Sequence, residues 1–213
     1  MKDSVSGATA VRTRSLGAAA TLLALGGIVV AILLDPTFSW SGDALSDLGV
    51  RPRSAVAFNW GLILGGAVGV GYAVGLGATQ LPSEGADSGG DRSPTRATSP
   101  LCAAVLGLAL VAMAGVGAFD LTRPLHGPAA VGFYALVTAV FAIDGSARRD
   151  TRRGRAVLAF VPAHLAIWVT YIAGWWPVTG LALPELPGAL MLAAWVWLFG
   201  PLPVLGAPAT DEH

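Results

Sequence analysis

The stretch SLGAAATLLALGGIVVAILL, residues 15–34, runs for twenty positions without a charged side chain. A helix of that length is about 30 Å long at 1.5 Å per residue, which matches the hydrocarbon core of a bilayer. It is too long for the apolar core of a secretory signal. The DPTFSW that follows at 35–40 has no small-x-small cleavage pattern, so the expectation is a spanning helix.

The rest of the 213 residues supports that solvent. Hydrophobic residues make up 54% and charged residues 12%, with a mean hydropathy of +0.65; an ordinary soluble domain carries roughly 25% charged residues. Five further segments are long and apolar enough to span, near 56–79, 101–119, 128–144, 156–176 and 187–206. The fold class is therefore an all-α, polytopic membrane bundle of six transmembrane helices. A net charge of zero gives no electrostatic footprint for nucleic acid, and membrane lipids are the expected partners. The single cysteine, Cys102, excludes an internal disulfide and any multi-cysteine metal site.

Charge asymmetry sets the expected orientation. With the N-terminus in the cytoplasm, ten basic residues fall on the inner side (Lys2, Arg12, Arg14, Arg92, Arg96, Arg148, Arg149, Arg152, Arg153 and Arg155) and three outside (Arg51, Arg53 and Arg123). Both termini are then cytoplasmic, in a multi-pass protein of the cell membrane. The chain divides into an N-terminal tail at 1–14, a membrane domain at 15–206 and a C-terminal tail at 207–213. The Gly, Ser, Pro and Asp-rich loop at 81–100 reads as a flexible cytoplasmic connector between two three-helix halves. Glycines at 61, 65 and 69 allow close helix approach and place the second span centrally.

The outer side collects polar groups from three chain segments. The loop FSWSGDALSDLGV at 38–50 brings Asp43, Ser46 and Asp47; its ALSDL reads as a short helix with Asp43 as N-cap and Gly49 as C-cap. Asn59 lies one turn into the second span, where an amide must find a partner. Helix-to-helix hydrogen bonding and ligand binding both satisfy that requirement. Asp120, Arg123 and His126 lie between spans three and four. In the catalytic reading His126 is a general base oriented by Asp120, with Ser46 as the candidate nucleophile. Asp43, Asp47, Asn59 and Arg123 then bind the ligand, Arg123 holding an anionic head group.

His164 lies deep in span five, after Pro162 and before Trp168 and Tyr171. An ionisable group at that depth is a candidate binding residue; the alternative is a neutral ring bonded to a carbonyl freed by the Pro162 kink. Straight helices separate His126 and His164 by roughly 15 Å along the membrane normal. A single metal or haem held by both is therefore disfavoured, no metal site is expected, and no cofactor is identified.

Three further segments carry a family resemblance: SDLG at 46–49, FNWGLILGG at 58–66 and GAFDLTRPLHGPAAVGF at 117–133. In their order and spacing the chain resembles the domain of unknown function 998 family of membrane proteins, over about 15–206. Many members have a proline before the aspartate; here Phe119 stands there. The S-D-x-G loop is also, more distantly, similar to the DRAM/FRAG group of six-span proteins, some linked to lipid remodelling. The resemblance implies the six-span fold and the importance of Ser46, Asp47, Asn59, Asp120 and His126. It implies no activity. The functional expectation is an outward-facing polar pocket in a lipid-directed enzyme or lipid head-group-binding protein, the alternatives being a small-solute or ion transporter and a non-catalytic assembly factor.

Overall fold

The computed structural model describes residues 2–79 and 99–205. Most of the loop at 81–100 and the tail at 207–213 lie outside the described residues. The described chain forms helices α1 (Lys2–Leu34), α2 (Ala55–Ala78), α3 (Pro100–Ala118), α4 (His126–Ala147), α5 (Arg152–Ile172) and α6 (Ala182–Ala194), with no strand among them. A 3-10 helix, Leu45–Gly49, interrupts the α1–α2 loop, and α6 ends in a π-helical turn, Trp195–Phe199. All six helices are long and apolar enough to cross a membrane, α6 counting its π turn. The protein is a multi-pass membrane protein.

Two boundaries differ from expectation. Helix α1 begins near Lys2 rather than at 15, because nothing in KDSVSGATAVRTR breaks a helix. Helix α6 begins at Ala182 rather than 187; Pro184 falls in its first turn, where proline is tolerated, and Pro187 is carried within the helix. That shift moves Glu185 from a loop into the bundle. Elsewhere local chemistry fixes the starts. The Ser99 hydroxyl accepts from Cys102 N at 3.1 Å ahead of Pro100, and the Thr151 hydroxyl accepts from Gly154 N at 2.9 Å.

Successive helices pack antiparallel. Helices α1 and α2 cross where Gly27 faces Gly61: a Cβ at Gly61 would lie 2.8 Å from the Gly27 Cα, so glycine is what lets these backbones touch. Further along, Gly65 meets Ala24, and Gly17 meets the Tyr72 ring. The other face of α2 holds α3 through Gly66 and Gly69 against Leu110, so α2 lies between its two neighbours. Cys102 is buried in the α3–α4 seam, its thiol 3.9 Å from the Val140 carbonyl. Helix α4 meets α5 through Thr138 and His164.

Helix α6 closes the bundle, running parallel to α4. Gly188 faces Tyr134 near one end, and Trp195 bonds Asp144 near the other. Its contact with α1 is made chiefly by the π turn. Large apolar side chains such as Leu22, Leu33, Val74, Val131, Val169 and Ile172 point outward, as a lipid-facing surface requires.

Candidate functional site

Between α1, α2, α3, α4, α6 and the 3-10 helix the bundle leaves a cavity, whose empty space of about 900 Å³ includes open solvent at its mouth. Small side chains make the room: Gly17, Ala20 and Ala24 recur at helical spacing on α1, and Ala189 and Ala193 face them from α6. Phe58, Leu62, Leu106, Leu110 and Phe133 form the opposite wall. Along α1 the lining extends from Gly17 to Ile28, roughly 16 Å at 1.5 Å per residue. One leaflet of hydrocarbon is about 15 Å deep, half the core thickness.

Polar groups gather at the end of this cavity nearest the 3-10 helix. Ser46, His126 and Glu185 all line it, and they are 7%, 7% and 8% exposed. His126 is the first residue of α4, and its Nδ1 lies 2.6 Å from the Phe119 carbonyl oxygen. That carbonyl belongs to the C-cap of α3, whose extended backbone turns it out of the helix. A carbonyl only accepts, so Nδ1 carries the proton and, in the neutral ring, Nε2 presents its lone pair. Glu185 accepts the Leu45 N–H at 2.7 Å. This satisfies an amide at the start of the 3-10 helix that has no intrahelical acceptor. Its second oxygen and the Ser46 hydroxyl have no hydrogen-bond partner among the described residues. Ser46, His126 and Glu185 are not hydrogen-bonded to one another; each presents a free polar atom separately.

The remaining predicted residues lie at the same end but serve the loop. Asp43 accepts Ser39 N at 2.8 Å and pairs with Arg51 at 2.8 Å. It does not cap the 3-10 helix as expected: Ala44 is the N-cap and Val50 the C-cap, because the Asp47 carboxylate accepts Ala44 N at 2.7 Å. Asn59 donates to the Gly49 carbonyl at 2.9 Å, tying the 3-10 helix to α2; its amide oxygen is buried without a partner among the described residues.

Asp120 does not orient His126, and it forms no ion pair with Arg123. Its carboxylate accepts the Thr122 backbone N–H at 3.0 Å and the Thr122 hydroxyl. Those bonds, the hydroxyl first, hold its pKa below the usual aspartate range. The orienting role falls to the Phe119 carbonyl, and Arg123 is exposed. His164 lies outside the cavity lining. Its Nδ1 donates to the Thr138 hydroxyl at 2.8 Å, since that hydroxyl donates onward to the Tyr134 carbonyl. Nε2 accepts the Trp168 indole N–H at 3.1 Å. Both nitrogens are occupied, which makes His164 a neutral bolt between α4 and α5. No group of three or more His, Cys, Asp or Glu positioned for a metal occurs among the described residues.

The lid over the polar end is a built structure. Arg51 bridges Asp43 and Asp35, the latter at 3.0 Å. The Thr37 hydroxyl and then Arg51 hold the Asp35 pKa low, and Asp35 and then Asp43 hold that of Arg51 high. The α5–α6 loop is laced on by backbone bonds: Thr179 N and Gly180 N donate to the Ser41 carbonyl, and Ala182 N to that of Asp43. The Ser54 hydroxyl donates to the Leu48 carbonyl at 2.8 Å.

Glu185 is the site residue that sequence reasoning missed. Its signal was a carboxylate within a run otherwise apolar from 180 to 200, obscured by the flanking prolines. The buried Asp144 and Arg148 at the other end were missed too, although their i, i+4 spacing was readable.

Comparisons with curated proteins and with solved structures give no match to this chain. A family model described as "Protein of unknown function (DUF998)" matches residues 18–201, most of the chain. Six spanning helices with SDLG at the lid and His126 opening α4 thus belong to a chain that is a member of the DUF998 family.

Proposed function

We propose that this protein takes one apolar chain of a membrane lipid or lipid-linked molecule into the bundle and presents its polar end to Ser46, His126 and Glu185. The observation that carries this is the cavity itself: about one leaflet deep, mostly apolar along its length apart from Thr21, Tyr72 and Tyr134, with Ser46, His126 and Glu185 together at one end. Burying a hydrocarbon chain there exchanges lipid contacts for protein contacts, so affinity comes from shape and from the polar end rather than from the hydrophobic effect. His126 Nε2 is placed to accept a proton from a hydroxyl or water of the bound head group, Glu185 to accept a hydrogen bond through its free oxygen, and Ser46 to donate one or to attack. The reaction class that suits these groups is hydrolysis or transfer at a lipid head group. Transport of a polar solute is less well supported, because the wall between the two ends is mostly Ala, Leu, Met, Phe and Val, with Thr21 and Tyr134 as its polar members.

The positive-inside count favours this polar end on the extracytoplasmic side of the cell membrane, with Arg14 and Arg148 facing the cytoplasm. Photo-crosslinking of the detergent-purified protein with a lipid carrying a diazirine along its chain tests the proposal. Adducts are expected on Leu62, Leu110 and Leu192, retained in His126→Ala. Adducts confined to the outward faces at Val131, Leu165 and Val169 would remove the basis for it.

A further inference from the structure

The opposite end of the bundle holds a second set of buried polar groups, which the lipid-chain proposal does not use. Asp144 and Arg148, one turn apart at the end of α4, are 1% and 4% exposed. The guanidinium forks onto the carboxylate through Nε and Nη2. Trp195 Nε1 donates to the same carboxylate at 2.7 Å, and Arg148 Nη2 also donates to the Phe199 carbonyl at 2.8 Å. The nearby acceptors are thus spent, while Arg148 Nη1 stays buried with no partner among the described residues.

Two more buried polar atoms share that condition, the Tyr72 hydroxyl and Arg14 Nε. Of the four such atoms among the described residues, three fall in this one region. Tyr72 is 1% exposed; its ring packs edge-on to Trp195, centroids 6.4 Å apart, and lies against Gly17, one turn beyond Arg14 on α1. Trp195 connects Tyr72 to the ion pair, its ring against the tyrosine and its indole N–H on the Asp144 carboxylate that holds Arg148. Three donor groups therefore stand open here, two on guanidinium groups and one a hydroxyl. Buried donors almost always have acceptors, and donors carried on two cationic side chains favour an anionic one. The missing partner is an acceptor that carries negative charge.

We infer that Arg14, Tyr72 and Arg148 form a binding site for a single phosphate-type oxyanion at the arginine-rich end of the bundle. Arginine suits such a group because its fork matches phosphate oxygens, and the tyrosine hydroxyl adds a neutral donor. Asp144 holds Arg148 in place and prevents it from turning away. The phosphate can belong to a lipid head group, since α2 ends six residues beyond Tyr72, roughly 9 Å of helix, or it can be free in solution.

The test uses delipidated full-length protein in neutral detergent at constant ionic strength. Thermal unfolding and native mass spectrometry are read with inorganic phosphate, with phosphatidic acid and with neutral diacylglycerol. Stabilisation and a bound adduct are expected with a phosphate-bearing probe and not with diacylglycerol. A response to inorganic phosphate identifies a soluble ion as sufficient; a response to phosphatidic acid alone identifies a lipid head group. Tyr72→Phe keeps the ring and removes only the hydroxyl, and Arg14→Gln changes a half-exposed residue. Each is expected to weaken apparent affinity by roughly ten-fold, as loss of one hydrogen bond to a charged group implies. If Tyr72→Phe does not fold, Arg14→Gln carries the comparison. Wild-type protein insensitive to both phosphate probes, or variants that bind them as well as wild type, would overturn the inference and leave these atoms bonded to water alone.

Discussion

Replacing Asp144 by Asn changes one atom of a buried ion pair, with side chains 1% and 5% exposed for Asp144 and Arg148. The carboxylate takes two bonds from Arg148 and one from Trp195. An amide offers a single oxygen and turns an NH2 toward donors, so one or more of those bonds is lost and the guanidinium keeps its charge without a counter-ion. Removing one partner of a buried pair costs about 3–5 kcal/mol, a large share of the roughly 5–15 kcal/mol that holds a typical fold. The double variant Asp144→Leu/Arg148→Met removes both charges and leaves only the Trp195 N–H and the Phe199 carbonyl without partners, at about 1–3 kcal/mol each. It is therefore expected to cost less than the sum of the single variants. Reversible unfolding in mixed micelles, followed by circular dichroism as denaturing detergent is increased, measures all of them. An Asp144→Asn variant within about 0.5 kcal/mol of wild type, or strict additivity in the cycle, would refute the reasoning.

Three other outcomes are expected. Gly61→Val forces a Cβ to within 2.8 Å of the Gly27 backbone and, as overpacking, is expected to destabilise by about 1–3 kcal/mol in the same unfolding assay, whereas Gly26→Ala, where the added Cβ meets nothing, is expected to be tolerated. Glu185→Leu leaves the Leu45 N–H without an acceptor and is expected to raise amide hydrogen exchange across the 3-10 helix, read by mass spectrometry, while exchange in α3 stays unchanged. Because the Asp35 pKa is lowered in the folded state, by Thr37 and then Arg51, its contribution to the lid is complete above the ordinary aspartate pKa of about 3.9 and is lost only as pH falls below it. Fluorescence of Trp40, which stacks edge-on with Phe38 at 5.1 Å, is expected to hold steady from pH 8 down to about pH 4 and then change; a midpoint at pH 5 to 6 would contradict this assignment.

The six spans were legible because only helices and closed β-barrels keep every backbone group bonded in lipid, and an unbroken apolar run of twenty residues such as 15–34 has the length of a spanning helix. Ser46 and His126 stand out in the sequence as polar groups that interrupt that pattern, and both line the cavity. Less visible was which polar groups serve the backbone. Asp43, Asp47 and Asn59 have the composition of a ligand site, yet they accept or donate at Ser39, Ala44 and Gly49, whose amides and carbonyls in an irregular loop need partners. Sequence shows the acid but not the orphan amide it meets. Asp120 was misassigned for the same reason: Thr122 is its partner two residues on, while His126 is held by a carbonyl that no sequence motif displays. Glu185 was hidden by its prolines, and only the packing of α6 against the 3-10 helix brings it beside Ser46.

The most direct measurement is native mass spectrometry of protein released from its own membrane, comparing wild type with Ala189→Trp, which fills the cavity from α6. One retained chain-bearing molecule per protein in wild type, and its loss in the variant with helicity unchanged, is the expected result. Equal retention in both, or none in wild type, would contradict a lipid-chain site inside the bundle.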